Sequence, residues 1–233
     1  MNLITISGPP SSGKTSIILK TIQALKERNL TVGVVKFDCL YTDDDKLYKK
    51  MKIPVKKGLS GSLCPDHYFI SNIEEVVEWG LKNELDILIT ESAGLCNRCS
   101  PYIKDIKSVC VIDNLSGINT PKKIGPMLKT ADIVIITKGD IVSQAEREVF
   151  SSRVQTVNSK AIIIHINGLT GQGSYEFSTL IYDKKNSIKS VSGKELRYPM
   201  PSALCSYCLG ETRIGKEFQI GNIRKINLGD FDD

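Results

Sequence analysis

Along this chain, short apolar runs rich in β-branched residues alternate with segments whose apolar positions recur every three or four residues. The continuous runs at 3–7, 31–37, 87–90, 108–112, 133–137 and 161–166 predict strands. Helical spacing predicts helices over 16–28, 73–82, 122–128 and 143–157. Strands that are apolar at nearly every position, as in Thr31-Val32-Gly33-Val34-Val35-Lys36-Phe37, belong to a parallel sheet with both faces covered. In such sheets ligands bind beyond the carboxyl ends of the strands. After about Leu180 the pattern changes: 183–192 is polar without clear period, and the rest holds prolines, glycines and cysteines. The organisation expected is a main domain over 1–182 and a small irregular cysteine-containing appendage over 183–233, organised by metal rather than by a core of its own.

Composition narrows the function classes. At 233 residues the chain is long enough for one well-buried core. A net charge of +5 is mild, and runs such as 46–57 read as solvated faces rather than a nucleic-acid groove. No stretch has the apolar length of a membrane span, and the N-terminus lacks a signal-peptide layout, so a cytoplasmic protein is expected. Seven cysteines in that compartment point to metal or redox chemistry rather than disulfides, and four of them form two C-x-x-C pairs, Cys96/Cys99 and Cys205/Cys208.

The chemistry begins directly after the first predicted strand. Gly8-Pro9-Pro10-Ser11-Ser12-Gly13-Lys14-Thr15 fits the phosphate-binding pattern G-x-x-x-x-G-K-[ST], and a predicted helix opens at Ser16. Strand, glycine loop and helix together turn backbone N–H groups and a helix N-terminus toward phosphate. Gly8, Ser11, Ser12, Gly13 and Ser16 are the cradle; Lys14 is to reach the β- and γ-phosphates and Thr15 to face magnesium. The fold class is therefore α/β, a mostly parallel doubly wound sheet of P-loop NTPase type. Asp86-Ile87-Leu88-Ile89-Thr90-Glu91-Ser92-Ala93-Gly94 is an apolar strand ending in an acid and a glycine: Glu91 holds magnesium or positions water, and Gly94 approaches the γ-phosphate. Asp38, at the end of the second strand, is a weaker candidate for the same roles. Thr137-Lys138-Gly139-Asp140 fits the [NT]-K-x-D guanine pattern, in which one carboxylate accepts two N–H groups that adenine does not offer. Asn167, Gly168 and Leu169 open a small loop after the last strand, placed to cover the guanine edge.

With these motifs in order, residues 1–180 resemble the nickel-insertion GTPases, the urease accessory and hydrogenase-maturation GTPases. The resemblance rests on Gly8 to Thr15, Asp38 with Tyr41-Thr42, Glu91-Ser92-Ala93-Gly94, Thr137 to Asp140, and Leu169-Thr170-Gly171-Gln172-Gly173. It implies GTP and Mg2+ as ligands, a homodimer formed on nucleotide binding, and a metalloenzyme or its maturation complex as client. It also implies a cysteine–histidine metal site between the second strand and the magnesium acid. Cys64-Pro65-Asp66-His67 stands there, with Asp66 as an extra residue that either adds a ligand or spoils the geometry; two copies of Cys64 and His67 would complete four ligands.

The resemblance does not account for Cys96 and Cys99, which follow Gly94 on the loop that a γ-phosphate would reorganise, nor for Cys205 and Cys208. Four thiolates suit zinc or an iron–sulfur cluster, and nickel is implied by the resemblance. Alternatively the first pair bridges two subunits. Cys110, inside an apolar run, is core. The reading is a nucleoside triphosphatase, GTP favoured over ATP, that couples nucleotide state to delivery of a metal or iron–sulfur cofactor. Alternatives are a small-molecule kinase and an ATPase-type redox or iron–sulfur activator.

Overall fold

The computed structural model describes residues 1–200 and 210–229. Its centre is one sheet of seven parallel strands: β1 (Asn2–Ser7), β2 (Val32–Asp38), β3 (Val55–Leu59), β4 (Ile87–Ser92), β5 (Lys107–Asp113), β6 (Ile133–Thr137) and β7 (Ile162–His165). They lie in the order β3-β2-β4-β1-β5-β6-β7. The helices are α1 (Lys14–Glu27), α2 (Asp44–Lys50), α3 (Pro65–Lys82), α4 (Thr120–Lys123), α5 (Pro126–Lys129), α6 (Gln144–Val157) and α7 (Ser174–Ile181). The doubly wound α/β sheet expected from the sequence is the fold observed.

Alternation along each strand divides the core between two faces. Ile4, Ile6, Val32, Val34, Ile87 and Ile89 pack with Ile17, Ile18, Ile22 and Leu25 of α1 and with Phe177 and Ile181 of α7. Their neighbours Leu3, Val35, Phe37 and Leu88 point the other way, onto Phe69, Ile73, Val76 and Val77 of α3. Farther along the sheet Cys110, Ile112, Val134 and Ile136 meet Met127, Leu128, Phe150 and Val154. Cys110 is core, as the apolar run around it implied.

The differences from the sequence reading have local causes. The helix expected from 73 begins at Pro65, because Pro65 fits the first helical position and α3 is buried on nearly all sides in its first half, which removes the amphipathic signal. The helix expected over 122–128 is two short pieces, separated by Gly125 at φ 68; a Cβ there would lie 2.3 Å from the Asn97 carbonyl oxygen. Strand β3, helix α2 and helix α7 were not predicted. The first is an edge strand carrying Lys56 and Lys57, and the second is mostly charged.

The tail is irregular but not separate. Val191, Leu196, Met200 and Ile214 are buried in the same cluster as α3, with Ile226 and Leu228 packed against it. Asn72 of α3 donates to the Arg224 carbonyl and accepts from the Ile226 N–H, both at 2.9 Å. The described tail thus packs against the core of the main body, and the pair Cys205/Cys208, on which its expected organisation by metal rests, lies outside the described residues. No described helix is long and apolar enough to cross a membrane.

Candidate functional site

The phosphate loop joins β1 to α1 and is shaped by glycine. Gly8 has φ 153, and a Cβ on it would lie 2.0 Å from the Val111 carbonyl oxygen. Gly94, after β4, has φ 65, and a Cβ on it would lie 1.9 Å from the Gly8 carbonyl oxygen. The two loops therefore touch backbone to backbone, which only glycine permits. Gly13, at φ 90, caps α1. Lys14 Nζ folds back to donate to the Gly8 and Pro9 carbonyls, each at 2.8 Å. Burial pushes its ammonium down to about 8, against a partial opposing pull from Glu91. Ser12 Oγ is buried with no hydrogen-bond partner, a donor that a phosphate oxygen would satisfy. Gly13 and Lys14, with Pro10, Ser11, Thr15 and Ser16, line a cavity of about 390 Å3 that runs on to Lys36, Asp38, Asp44 and Glu91. That size suits a small-molecule ligand. A larger cavity lies at the opposite ends of the strands, near Asn2, Asp105 and Asp132, away from the phosphate loop.

The acids meet Thr15 on the α1 face. Thr15 Oγ1 lies 2.7 Å from Glu91 Oε1 and 3.0 Å from Asp44 Oδ2. Tyr48 donates to Glu91 Oε2 at 2.9 Å. Lys36, directly opposite Glu91 in the β2–β4 register, puts Nζ 2.6 Å from Glu91 Oε1, 2.6 Å from Asp44 Oδ2 and 4.0 Å from Asp38 Oδ2. Burial would lower this ammonium, but the charges and hydrogen bonds of Glu91 and Asp44 outweigh it and hold it above the ordinary lysine value. An all-oxygen set built from a hydroxyl and carboxylates suits Mg2+, and a cation already stands among them.

The expected guanine end lies at the carboxyl ends of β6 and β7. Thr137 Oγ1 donates to the Ser12 carbonyl at 2.6 Å, and Lys138 Nζ to the Ser11 carbonyl at 2.8 Å. Both tie this loop to the phosphate loop. Asp140 is exposed beside them. Asn167 Oδ1 accepts from the Leu169 and Thr170 N–H groups, and Gly168 packs against Ser16 at the start of α1. Phosphate cradle, acid cluster and guanine motif thus form one continuous rim.

The thiols occupy the other face of the sheet. Ligand atoms of Cys64, Asp66 and Cys99 all lie within 4.8 Å of one another. Cys99 Sγ is 3.0 Å from Asp66 Oδ2, while Ser92 Oγ donates to Asp66 Oδ1 at 3.0 Å. Burial, with the Cys64 thiol next in effect, raises the Asp66 carboxyl to about 6. A hydrogen bond donated to Cys64, burial and the Asp66 charge push the Cys99 thiol far up.

Two expected ligands are placed differently. His67 is not in the cluster: its Nε2 lies 2.6 Å from Glu211 Oε1, and both residues are buried. Successive helical residues diverge by about 100°, so α3 cannot aim Asp66 and His67 at one point. Asp66 takes the cluster and His67 faces the tail. Cys96 is also outside, with its sulfur accepting from the Arg98 N–H at 3.4 Å; the loop thus turns Cys99 inward and leaves Cys96 half-buried. Cys205 and Cys208 lie outside the described residues.

Sequence reasoning missed Lys36, Asp44 and Tyr48 and left Asp66 undecided. The signal for Lys36 was present: a lysine inside an apolar strand is buried only where it is paired.

The nucleotide-binding domain family described as CobW/HypB/UreG matches residues 2–165. An uncharacterized protein of Methanocaldococcus jannaschii is 51% identical over 227 residues, 97% of each chain. The urease accessory protein UreG of Yersinia pestis is 31% identical over 194 residues, covering 76% of this chain and 87% of that protein. Among solved structures, the hydrogenase maturation factor HypB of Archaeoglobus fulgidus has a TM-score of 0.62 at 20% identity, covering 77% of this chain and 88% of that one. HypB from Helicobacter pylori in complex with nickel has a TM-score of 0.61 at 17% identity, covering 79% and 90%. At these identities the two structures speak for the fold.

Proposed function

Because the chain belongs to the CobW/HypB/UreG nucleotide-binding family, we propose that it is a GTP hydrolase whose nucleotide state controls the binding and delivery of a thiophilic metal ion to a client metalloenzyme. Lys14, Ser12 and the loop N–H groups hold the phosphates, and the exposed carboxylate of Asp140 reads guanine. Thr15, Glu91 and an acid from Asp38 or Asp44 hold Mg2+, which supplies charge neutralisation at the β- and γ-phosphates. Glu91 is fixed in place by three donors; Asp38, on the same cavity, is the candidate to orient water.

The cargo is a single divalent ion such as Ni2+ or Zn2+, taken by Cys64, Cys99 and Asp66. Two sulfurs and one carboxylate suit such an ion better than an iron–sulfur cluster, which takes four thiolates. A second copy of the chain supplies the remaining ligands, in the nucleotide-dependent homodimer that the family resemblance implies.

One observation carries this reading. Glu91 and Ser92 are adjacent on β4, and Ser92 is hydrogen-bonded through Asp66 to Cys99. A nucleotide that moves Glu91 or Gly94 acts on the thiol cluster through two side chains.

The test is a competition titration of Zn2+ and Ni2+ against a chromophoric chelator, with no nucleotide, with GDP and with a non-hydrolysable GTP analogue. A change in metal affinity of about fivefold or more between nucleotide states is expected. Asp66→Asn should weaken metal binding and shrink that difference. Equal affinity in all three states overturns the reading.

A further inference from the structure

Lys36 is charged, almost fully buried and invariant in position, because its Cα is paired with that of Glu91 across the β2–β4 ladder. Its side chain can swing, but its base cannot leave. The ammonium sits among Glu91 Oε1 at 2.6 Å, Asp44 Oδ2 at 2.6 Å, Asp38 Oδ2 at 4.0 Å and Thr15 Oγ1 at 3.5 Å. These are the same oxygens that a phosphate-loop protein turns to its divalent cation. Thr15 Oγ1, the loop's own candidate ligand, is engaged with Glu91 and Asp44 instead.

We infer that Lys36 is a resident counter-ion of the magnesium position, which a divalent cation must displace and which sets the metal dependence of nucleotide binding. The inference rests on the nucleotide-site reading above and concerns its regulation.

Two cations cannot share Glu91 Oε1 and Asp44 Oδ2 at such distances without strong repulsion. Without nucleotide the ammonium already neutralises the acids, so a free divalent ion gains little by entering. The phosphates of an arriving nucleotide bring the negative charge that pays for both cations. Thr15 and Glu91 would then hold Mg2+, and Lys36 would move on its four-carbon stem toward Asp44 or a phosphate oxygen. Mg2+ therefore enters with the nucleotide, and the empty protein keeps its acid cluster intact without metal. Tyr48, which holds the other oxygen of Glu91, keeps that carboxylate in place during the exchange.

The experiment uses Mn2+ as the probe, with free ion counted by electron paramagnetic resonance, on the full chain without nucleotide. Wild type is expected to bind Mn2+ weakly at this position. Lys36→Met should bind it at least tenfold more tightly, with a rise in melting temperature on adding Mn2+ that wild type lacks. A fluorescent GDP titration forms the second arm: because the variant takes the metal without nucleotide, the ratio of GDP affinities with Mg2+ and with chelator should shrink about tenfold in the variant.

Tight Mn2+ binding by nucleotide-free wild type, abolished by Thr15→Ala, overturns the inference without any Lys36 variant, so a Lys36→Met chain that fails to fold does not shelter it. Unchanged Mn2+ affinity and an unchanged ratio in a folded variant also overturn it. Failure of wild type to bind guanine nucleotide at all strikes the nucleotide reading instead, and the Mn2+ arm still decides on Lys36.

Discussion

At the scale of single residues, three side chains carry charge into places where burial opposes it, and each is matched differently. Lys36 is matched inside the protein by Glu91 and Asp44. Asp66 is matched by hydrogen bonds from Ser92 and Cys99 and remains raised to about 6. Lys14 has only carbonyls as acceptors, so its partner has to be the ligand. Its folded value of about 8 lies below the 10.5 of the free side chain, so between those values the unfolded chain holds the extra proton. This group's contribution to stability therefore rises with pH across that window and is unfavourable below it. Phosphate needs the ammonium form. Nucleotide affinity should be level up to about pH 8 and then fall, approaching tenfold per pH unit, while Lys14→Met binds weakly with no such break; fluorescent nucleotide titrations between pH 6.5 and 9.5 would show it. The motif residues were legible in the sequence because phosphate recognition needs a local pattern. Asp44 and Tyr48 were not, because their role exists only once α2 is laid over β2 and β3, within reach of Thr15 and Glu91.

At the scale of elements, the sequence revealed the five strands buried on both faces and also the edge strand β7, whose run of isoleucines carries the signal, and it hid only the edge strand β3. Strand β3 reads Val55-Lys56-Lys57-Gly58-Leu59, and its lysines mask a five-residue pairing with β2. Helix α3 was truncated in the reading because the tail covers the side that would otherwise be polar. Helix α6 was read closely, and its start shows why: Ser143 accepts from the Glu146 N–H while Glu146 accepts from the Ser143 N–H, a reciprocal cap visible as S-x-x-E. Ser143→Ala should cost about 1 kcal/mol in denaturant unfolding and leave nucleotide affinity unchanged, since this cap touches neither phosphate loop nor acids. A larger loss, or a change in binding, would mean that α6 helps to position the guanine loop.

At the scale of the whole molecule, the tail and the thiol cluster share one face of the sheet and the nucleotide rim holds the other. The sequence put both groups of candidate residues near the strand ends but gave no sign of which face each would take, since that depends on register across strands far apart in the chain. The tail's contribution is testable as a whole. A chain ending at residue 182 loses Val191, Leu196, Met200 and Ile214 from the α3 cluster, each worth about 1.5–3 kcal/mol when fully buried. It should melt at a markedly lower temperature and bind a hydrophobic dye; an unchanged melting curve would show that the tail is dispensable. The order Glu91 then Ser92 also has a consequence of its own. A strand shows its residues alternately to left and right, so the peptide link between these two is a partition one residue thick, with hard oxygen donors on one side and sulfur on the other. In the function proposed above, magnesium and a thiophilic ion would be kept in separate compartments by register alone. Inserting one residue into β4 ahead of Glu91 would cross the wiring, delivering the carboxylate to the thiols and a hydroxyl to the phosphate side.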